Sequence, residues 1–349
     1  MKKNILLFIT LFAVADYCFA QGFSKKNKYW SVGGTLNAMN YVGELDPGPS
    51  FISPGIKFTK YNIGAVGMYR IAPRLSARAA FSYGRIKGSD ERNSNFTYKG
   101  GDIYRKMRNL SFRSQIFEFK VDAVVDFIEH RGRYQKRPEF VPYAFVGLAY
   151  FHHNPQTVFN GRWVNLQPLS TEGQGVIDGA PKKYSLHQIA FPIGLGIRYK
   201  LSKQLDLAFE IGWRFTTTDY LDDVGGRYVD KAKLKELKGE SASLLSDRSW
   251  ELINQNSVYY DTTGTLVFNA GEYQQFVKKN GIYLDANGNW SVNAYGQGFN
   301  GDTNHPLYPN VESGDQRGDK KGRRDAYIIT GVHLMYIIPT RVVCPKFRN

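Results

Sequence analysis

The chain has 349 residues, with 46 Lys and Arg against 31 Asp and Glu, a formal charge of +15, and two cysteines. Beyond the N-terminus no apolar run approaches the roughly 20 residues that a membrane-spanning helix needs, which excludes a helical membrane protein. So few cysteines exclude a disulfide framework, and no nucleic-acid-binding motif accompanies the basic excess.

Residues 1–20 predict a secretory signal peptide. Lys2 and Lys3 precede an apolar stretch from Ile5 to Ala15, and Cys18, Phe19 and Ala20 form a small-residue end. The stretch stops at Asp16, too short for an anchor helix. Bulky Tyr17 does not suit lipid attachment at Cys18. Removal of this segment lowers the +15 charge by one and leaves Cys344 as the single thiol of residues 21–349, read as one domain. An exported chain without internal disulfides either stays soluble or crosses a membrane as a closed sheet.

Eight segments alternate with a period of two, the signature of strands with unlike faces. They are 29–40, 59–71, 74–84, 110–127, 141–151, 184–200, 204–216 and 325–338. In the fourth, Phe117, Phe119, Val121, Val125 and Phe127 share one parity, and Glu118, Lys120, Asp122 and Asp126 share the other. The fifth is apolar on both faces. A soluble sandwich would hide the greasy face, whereas a membrane barrel would show it to lipid.

The polar face favours the barrel. It carries Arg74, Arg78, Glu118, Lys120, Asp122, Arg198, Glu210 and Arg214 at mid-strand, both signs in balance and able to pair across a narrow lumen. Aromatics stand near strand ends (Trp30, Tyr69, Tyr83, Phe127, Tyr199, Trp213, Tyr336), where membrane girdles sit. The expectation is an all-β, eight-stranded antiparallel up-and-down transmembrane barrel filled by its own side chains. Links at 72–73 and 201–203 are short, while 41–58, 85–109, 152–183 and 218–324 are long, the last partly helical. Outer-membrane barrels put short turns in the periplasm and long loops outside, which predicts both termini in the periplasm.

Several stretches in order are similar to PorG-type outer-membrane barrels of the Bacteroidetes type IX secretion system. They are "YGRIKGSD" (83–90), "RNLSFRSQIFEF" (108–119), "PYAFVGLAYFHHNP" (142–155), "LQPLSTEGQG" (166–175), "IAFPIGLGIRYKLS" (189–202), "DLAFEIGWRFTTTDYLDDV" (206–224) and "CPKF" (344–347). The resemblance implies a non-enzymatic component that ties the periplasmic ring of the PorK lipoprotein and PorN to the outer membrane. Such a component supports cargo export and gliding. The alternative is a generic small barrel serving as adhesin or envelope stabiliser.

Candidate sites follow. Cys344, beyond the last strand, has no internal partner in an oxidising compartment and is a candidate for an intermolecular disulfide. A basic rim of Lys25, Lys26, Lys28, Arg131, Arg133, Lys136, Arg137, Lys203, Arg341, Lys346 and Arg348 would meet lipid phosphates or an acidic partner. Ser185 and His187 share a face and would suggest a lipid A acyl hydrolase, but residues two apart on a strand lie about 7 Å apart. His152 and His153, which point to opposite faces, with His187 make a poor metal set. Asp219, Asp222 and Asp223 read as a solvated turn rather than a calcium loop. "RGD" at 317–319 is given no function, and no catalytic, cofactor or metal set is assigned.

Overall fold

The computed structural model describes residues 27–45, 58–90, 108–248, 314, 316–318 and 324–339, together with the backbone of four three-residue strands. The strands in chain order are β1 (Trp30–Val42), β2 (Lys60–Arg70), β3 (Leu75–Ser89), β4 (Ser111–Asp126), β5 (Phe140–Phe159), β6 (Arg162–Asn165), β7 (His187–Lys200) and β8 (Leu205–Thr216). The helices α1 (Lys231–Lys238) and α2 (Glu240–Ser246) follow. Next come the small ladders β9 (Val258–Tyr260) with β10 (Leu266–Phe268) and β11 (Ile282–Leu284) with β12 (Trp290–Val292), and finally β13 (Ala326–Ile337).

Eight strands close on themselves. Each of β1, β2, β3, β4, β5, β7, β8 and β13 pairs antiparallel with its neighbours in the order β4-β3-β2-β1-β13-β8-β7-β5, and the β4–β5 ladder closes the ring, so none of these eight is a free edge. The observed strands follow the eight alternating segments in order, because period-two patterning fixes which register buries which face, but β3 continues to Ser89 through residues read as loop.

The fifth strand departs from its reading. It runs well past residue 151, and the stretch taken as loop from 152 begins as strand and folds into a hairpin with β6. Asn160 and Gly161 form its turn with φ of 49° and 74°, as a type I′ hairpin turn requires.

Short links lie at one end of the barrel and long ones at the other. Ile71 N–H donates to the Leu75 carbonyl at 2.9 Å, and Leu201 N–H to that of Leu205 at 3.0 Å. At this end Tyr29, Tyr134 and Ile337 pack into a small cluster. At the long-loop end, α1 is capped by the Asp230 carboxylate, which accepts from Ala232 and Lys233 N–H at 2.8 and 3.1 Å.

The faces are inverted relative to a soluble protein. Phe119 and Ile193 are 50% and 48% exposed, whereas Glu118 and Arg78 are 1% and 4% exposed. Trp30 and Tyr69 lie outside with tilted rings 4.7 Å apart near the short-turn end, and Tyr83 and Phe117 likewise at 4.7 Å towards the other. Gly196 faces inward beneath the Tyr143 ring, where a Cβ would collide with Cζ and the hydroxyl. Gly196→Val is therefore expected to cost about 1–3 kcal/mol by overpacking, read as a lower urea midpoint of the refolded barrel.

Candidate functional site: a charged lumen beneath a locked rim

The lumen is built in tiers. Nearest the short turns, Asp126 takes both Arg70 and Arg198 at 3.0 Å. Arg137 binds Asp206 at 2.7 Å and donates to the Ser202, Lys203 and Leu205 carbonyls at 2.7–3.0 Å. One tier up, Arg78 bridges Asp122 (2.8 Å) and Glu210, Lys120 adds a contact to Asp122 at 2.7 Å, and the Tyr143 hydroxyl donates to Glu210 at 2.6 Å. Arg78 also lies over the Phe145 ring at 4.6 Å. Glu118 accepts from Tyr327 at 2.6 Å and faces Arg214 at 3.6 Å. Asn37, Asn62 and Ser82 form an amide–hydroxyl ladder beside them. The cavity left among these groups is about 20 Å³, room for roughly one water.

Above this network the interior turns apolar. Met39, Tyr41, Ile86, Phe112, Ile116 and Phe151 pack with loop residues such as Leu45, Leu166, Leu221 and Leu245. The salt-bridge reading of the lumen thus holds for its lower part and is corrected for the upper one. Inward parity was assumed polar throughout, but Ile116 and Phe112 share the parity of Glu118 and join an apolar cluster of strand and loop residues, Phe112 meeting the Tyr41 ring of β1 edge-on at 4.9 Å.

Arg74 is the other correction to the lumen set. It sits in the turn after Pro73, half-exposed outside the lumen, 3.6 Å from Glu129. The strand begins at Leu75, so alternation does not extend to it. The remaining seven of the set all point inward and are buried.

A buried lock closes the long-loop end. Arg108 forms a fork onto Asp90, 2.8 Å at each oxygen, and donates to the Arg317 carbonyl at 2.6 Å. Arg317 donates to Glu172 (3.0 Å), the Asp223 carbonyl (2.6 Å) and the Ser246 carbonyl (3.0 Å). It thereby ties three loop segments together. Tyr184 donates to Asp223 at 2.6 Å, and Thr171 donates to its other oxygen. The reading of Asp222 and Asp223 as a solvated turn is corrected, since both are buried. The dismissed "RGD" supplies the central cation of the rim. Sequence distance hid both, because Glu172 and Arg317 lie 145 positions apart.

Glu44, Asp222 and Asp325 bring carboxylate oxygens within 4.8 Å of one another. The Asp222 and Asp325 carboxylates are engaged from the chain itself. The Tyr41 hydroxyl lies 2.7 Å from both Asp222 and Asp325, and Leu221 and Val224 N–H donate to these two carboxylates at 2.8 and 2.9 Å. One hydroxyl hydrogen serves one carboxylate, so the second contact needs a protonated partner. Burial, and then the Glu44 charge, raise the Asp222 carboxyl well above its usual range; Asp325 is raised by burial and by Asp222.

Burial pushes Asp223 up to about 6, against the opposing pull of Arg317, Thr171 and Tyr184. A raised carboxyl contributes stability that is full below the ordinary carboxylate range and is lost as pH rises through about 6. Amide exchange at Leu221 and Val224 is therefore expected to quicken between pH 4 and 7 beyond its intrinsic rise, and Asp223→Asn to flatten the part near pH 6. Arg317→Ala strands two buried carboxylates and is expected to cost the rim about 3–5 kcal/mol, seen as faster proteolysis of segments 166–186 and 218–248.

The rim residues divide. Arg133, Lys136 and Lys203 are exposed at the short-turn end, Lys28 is half-buried, and Arg131 is exposed beside Glu129. Arg137 is corrected: it is buried on Asp206 and cannot serve as a docking group. Lys25, Lys26, Arg341, Lys346, Arg348 and Cys344 lie outside the described residues, as does the expected signal segment 1–20. His187 Nδ1 meets the Tyr150 hydroxyl at 2.9 Å, while Ser185 Oγ accepts from the His187 backbone. No nucleophile–base contact therefore joins Ser185 to the imidazole. His152 and His187 are cross-strand partners with rings 4.8 Å apart, and His153 points inward.

An inverted cylinder of eight antiparallel strands, charged within and apolar outside, is the architecture of a small outer-membrane-type barrel. The chain belongs to the family described as "Domain of unknown function (DUF6089)", whose profile matches residues 7–258. No curated protein matches it. Among solved structures, OprG of Pseudomonas aeruginosa is similar at 7% identity and a TM-score of 0.35, covering 92% of this chain and 100% of OprG. Neisserial surface protein A shares 12% identity at a TM-score of 0.30, covering 53% of this chain and 82% of its own. A major outer-membrane protein of Thermus thermophilus shares 10% at 0.31, covering 88% and 99%. Scores this low carry no functional inference.

Proposed function

We propose that this barrel sits in the outer membrane with its short turns in the periplasm. There it serves as a structural, non-enzymatic component of type IX secretion, holding the PorK and PorN ring to the membrane. The observation that carries the reading is the filled lumen. Charge network, apolar tier and rim lock occupy the described interior in succession, so the two ends rather than a pore are left to do the work. Exposed Arg133, Lys136 and Lys203 give the short-turn face a basic character suited to an acidic partner surface. The ordered PorG-like stretches add the identity of that partner.

The test is affinity capture from native envelopes. PorK and PorN should co-purify with the barrel, and Arg133→Glu with Lys136→Glu and Lys203→Glu should reduce the yield, as should added salt. Capture indifferent to all three reversals would exclude docking through this face. The rim pinned by Arg108 and Arg317 favours a second reading, a generic barrel presenting a rigid surface as adhesin or envelope stabiliser. Envelopes in which neither ring protein is ever captured would favour it.

A further inference from the structure

The lumen sets a rule that the outer wall breaks. Arg70, Arg78, Arg108, Arg137, Arg198 and Arg317 each hold a carboxylate. On the outside, Arg85 of β3 and Arg113 of β4 make no ion pair among the described residues, although they stand close together. Lys87 is the direct cross-strand partner of Arg113, and Arg85 pairs with Gln115, so Arg85 and Arg113 are diagonal neighbours. Like charges set opposite one another on a sheet are destabilising. Two arginines set side by side with no carboxylate on either among the described residues suit an anion from elsewhere.

The patch is also built rather than loose. The Arg113 guanidinium lies 3.4 Å above the Trp163 ring, and its Nε donates to Gln156 Oε1 at 3.2 Å. That stack fixes the guanidinium plane while leaving its terminal nitrogens free of hydrogen bonds among the described residues. Arg85 reaches the Tyr83 hydroxyl at 3.5 Å and borders the Tyr61 ring, and its Nε is shielded from solvent without a hydrogen bond. Tyr83, Phe117 and Tyr61 form the aromatic band at the long-loop end of the apolar wall. Arg85 stands one outward position beyond Tyr83 and Arg113 two beyond Phe117, a rise of about 7–14 Å. That height is the headgroup layer above the girdle.

We propose that Arg85 and Arg113 bind the phosphate headgroup of an outer-leaflet glycolipid lying against β3, β4 and the β5–β6 hairpin. A phosphate offers several acceptor oxygens to two planar forks, and Arg suits that geometry better than a point charge. The inference rests on the membrane placement proposed above, and its test separates the two.

The barrel is inserted into nanodiscs of zwitterionic lipid, with insertion checked by protease protection of the strands. It is then titrated with bis-phosphorylated lipid A or its dephosphorylated form, and bound lipid is counted by native mass spectrometry. Arg85→Gln and Arg113→Gln should each weaken the phosphorylated lipid about five-fold, the contribution of one cation near an anionic surface. The double variant should fall to the affinity of the dephosphorylated form, and Arg113→Lys should lie between. Neither side chain enters the lumen, so protease protection of the variants should match the parent. A double variant binding as tightly as the parent, equal binding of both lipids, or full displacement by equimolar inorganic phosphate would overturn the proposal while leaving the membrane reading intact. A parent chain that never inserts would overturn both.

Discussion

Replacement of Arg78 by Leu is expected to destabilise the refolded barrel by about 3–5 kcal/mol, the cost of leaving buried carboxylates without their cation. Arg78 is the hub of the middle tier, touching Asp122 on the neighbouring strand and Glu210 across the lumen. Without it, Glu210 keeps the Tyr143 hydroxyl and His333, and Asp122 keeps Lys120. Two negative groups would then share too little positive charge in a space holding about one water. Urea midpoints in detergent or liposomes measure the loss. A cycle with Glu210→Gln adds a sharper check: the double variant should lose less than the sum of the singles, because the second change removes the charge stranded by the first. Additive losses would mean that Arg78 and Glu210 do not act as a pair.

The second large effect concerns the outer wall. Phe119→Arg and Ile193→Arg each set a cation into the apolar belt, and each is expected to cost about 2–4 kcal/mol in a bilayer if its position falls near the midplane. Were those side chains facing water, the same substitutions would change stability by no more than about 0.5 kcal/mol. Phe119 is flanked on its face by Phe117 and Val121 and pairs across with Phe81 and Tyr150; Ile193 pairs with Val146 and Trp213. No acidic neighbour stands there to receive a guanidinium. Because the penalty falls with depth, the same change at Trp30 or Tyr199, in the aromatic band near the short turns, should cost less.

Much of the barrel was legible because one physical rule, alternation against two unlike media, acts on every strand. Glu118 beside Phe119 and Arg214 beside Trp213 declare their faces without any knowledge of partners. What alternation cannot reveal is where it stops. Arg74 looks like the first inward residue of a strand, yet Pro73 holds it in the turn. Phe112 and Ile116 occupy inward positions in an apolar cluster of strand and loop residues, so their parity was read correctly and their chemistry was not. The β5–β6 hairpin carried its own signal in Asn160-Gly161, which a search for long strands passes over.

The rim was the least legible part, and the reason is range. Asp90 and Arg108 lie 18 positions apart and meet across the β3–β4 ladder, while Tyr41 and Asp325 lie 284 apart and meet only when β1 pairs with β13 to close the cylinder. Side chains such as Asp222, Asp223 and Arg317 look solvated in a polar string, and only the closed barrel shows that they are not. The same range limit hid the outer patch, since Arg85 and Arg113 become neighbours through the β3–β4 register rather than through sequence.

The inverted placement of apolar and charged side chains underlies every step above, and site-directed spin labelling tests it most directly. In a Cys344→Ser background that also lacks Cys18, nitroxides are attached singly at positions 119 and 193 of the barrel in liposomes. Relaxation by oxygen, which concentrates in hydrocarbon, is compared with relaxation by a water-soluble nickel chelate. The account predicts strong oxygen relaxation and almost none from the chelate at both positions. Chelate relaxation at 119 and 193 as strong as at an exposed turn residue such as Lys203 would contradict it.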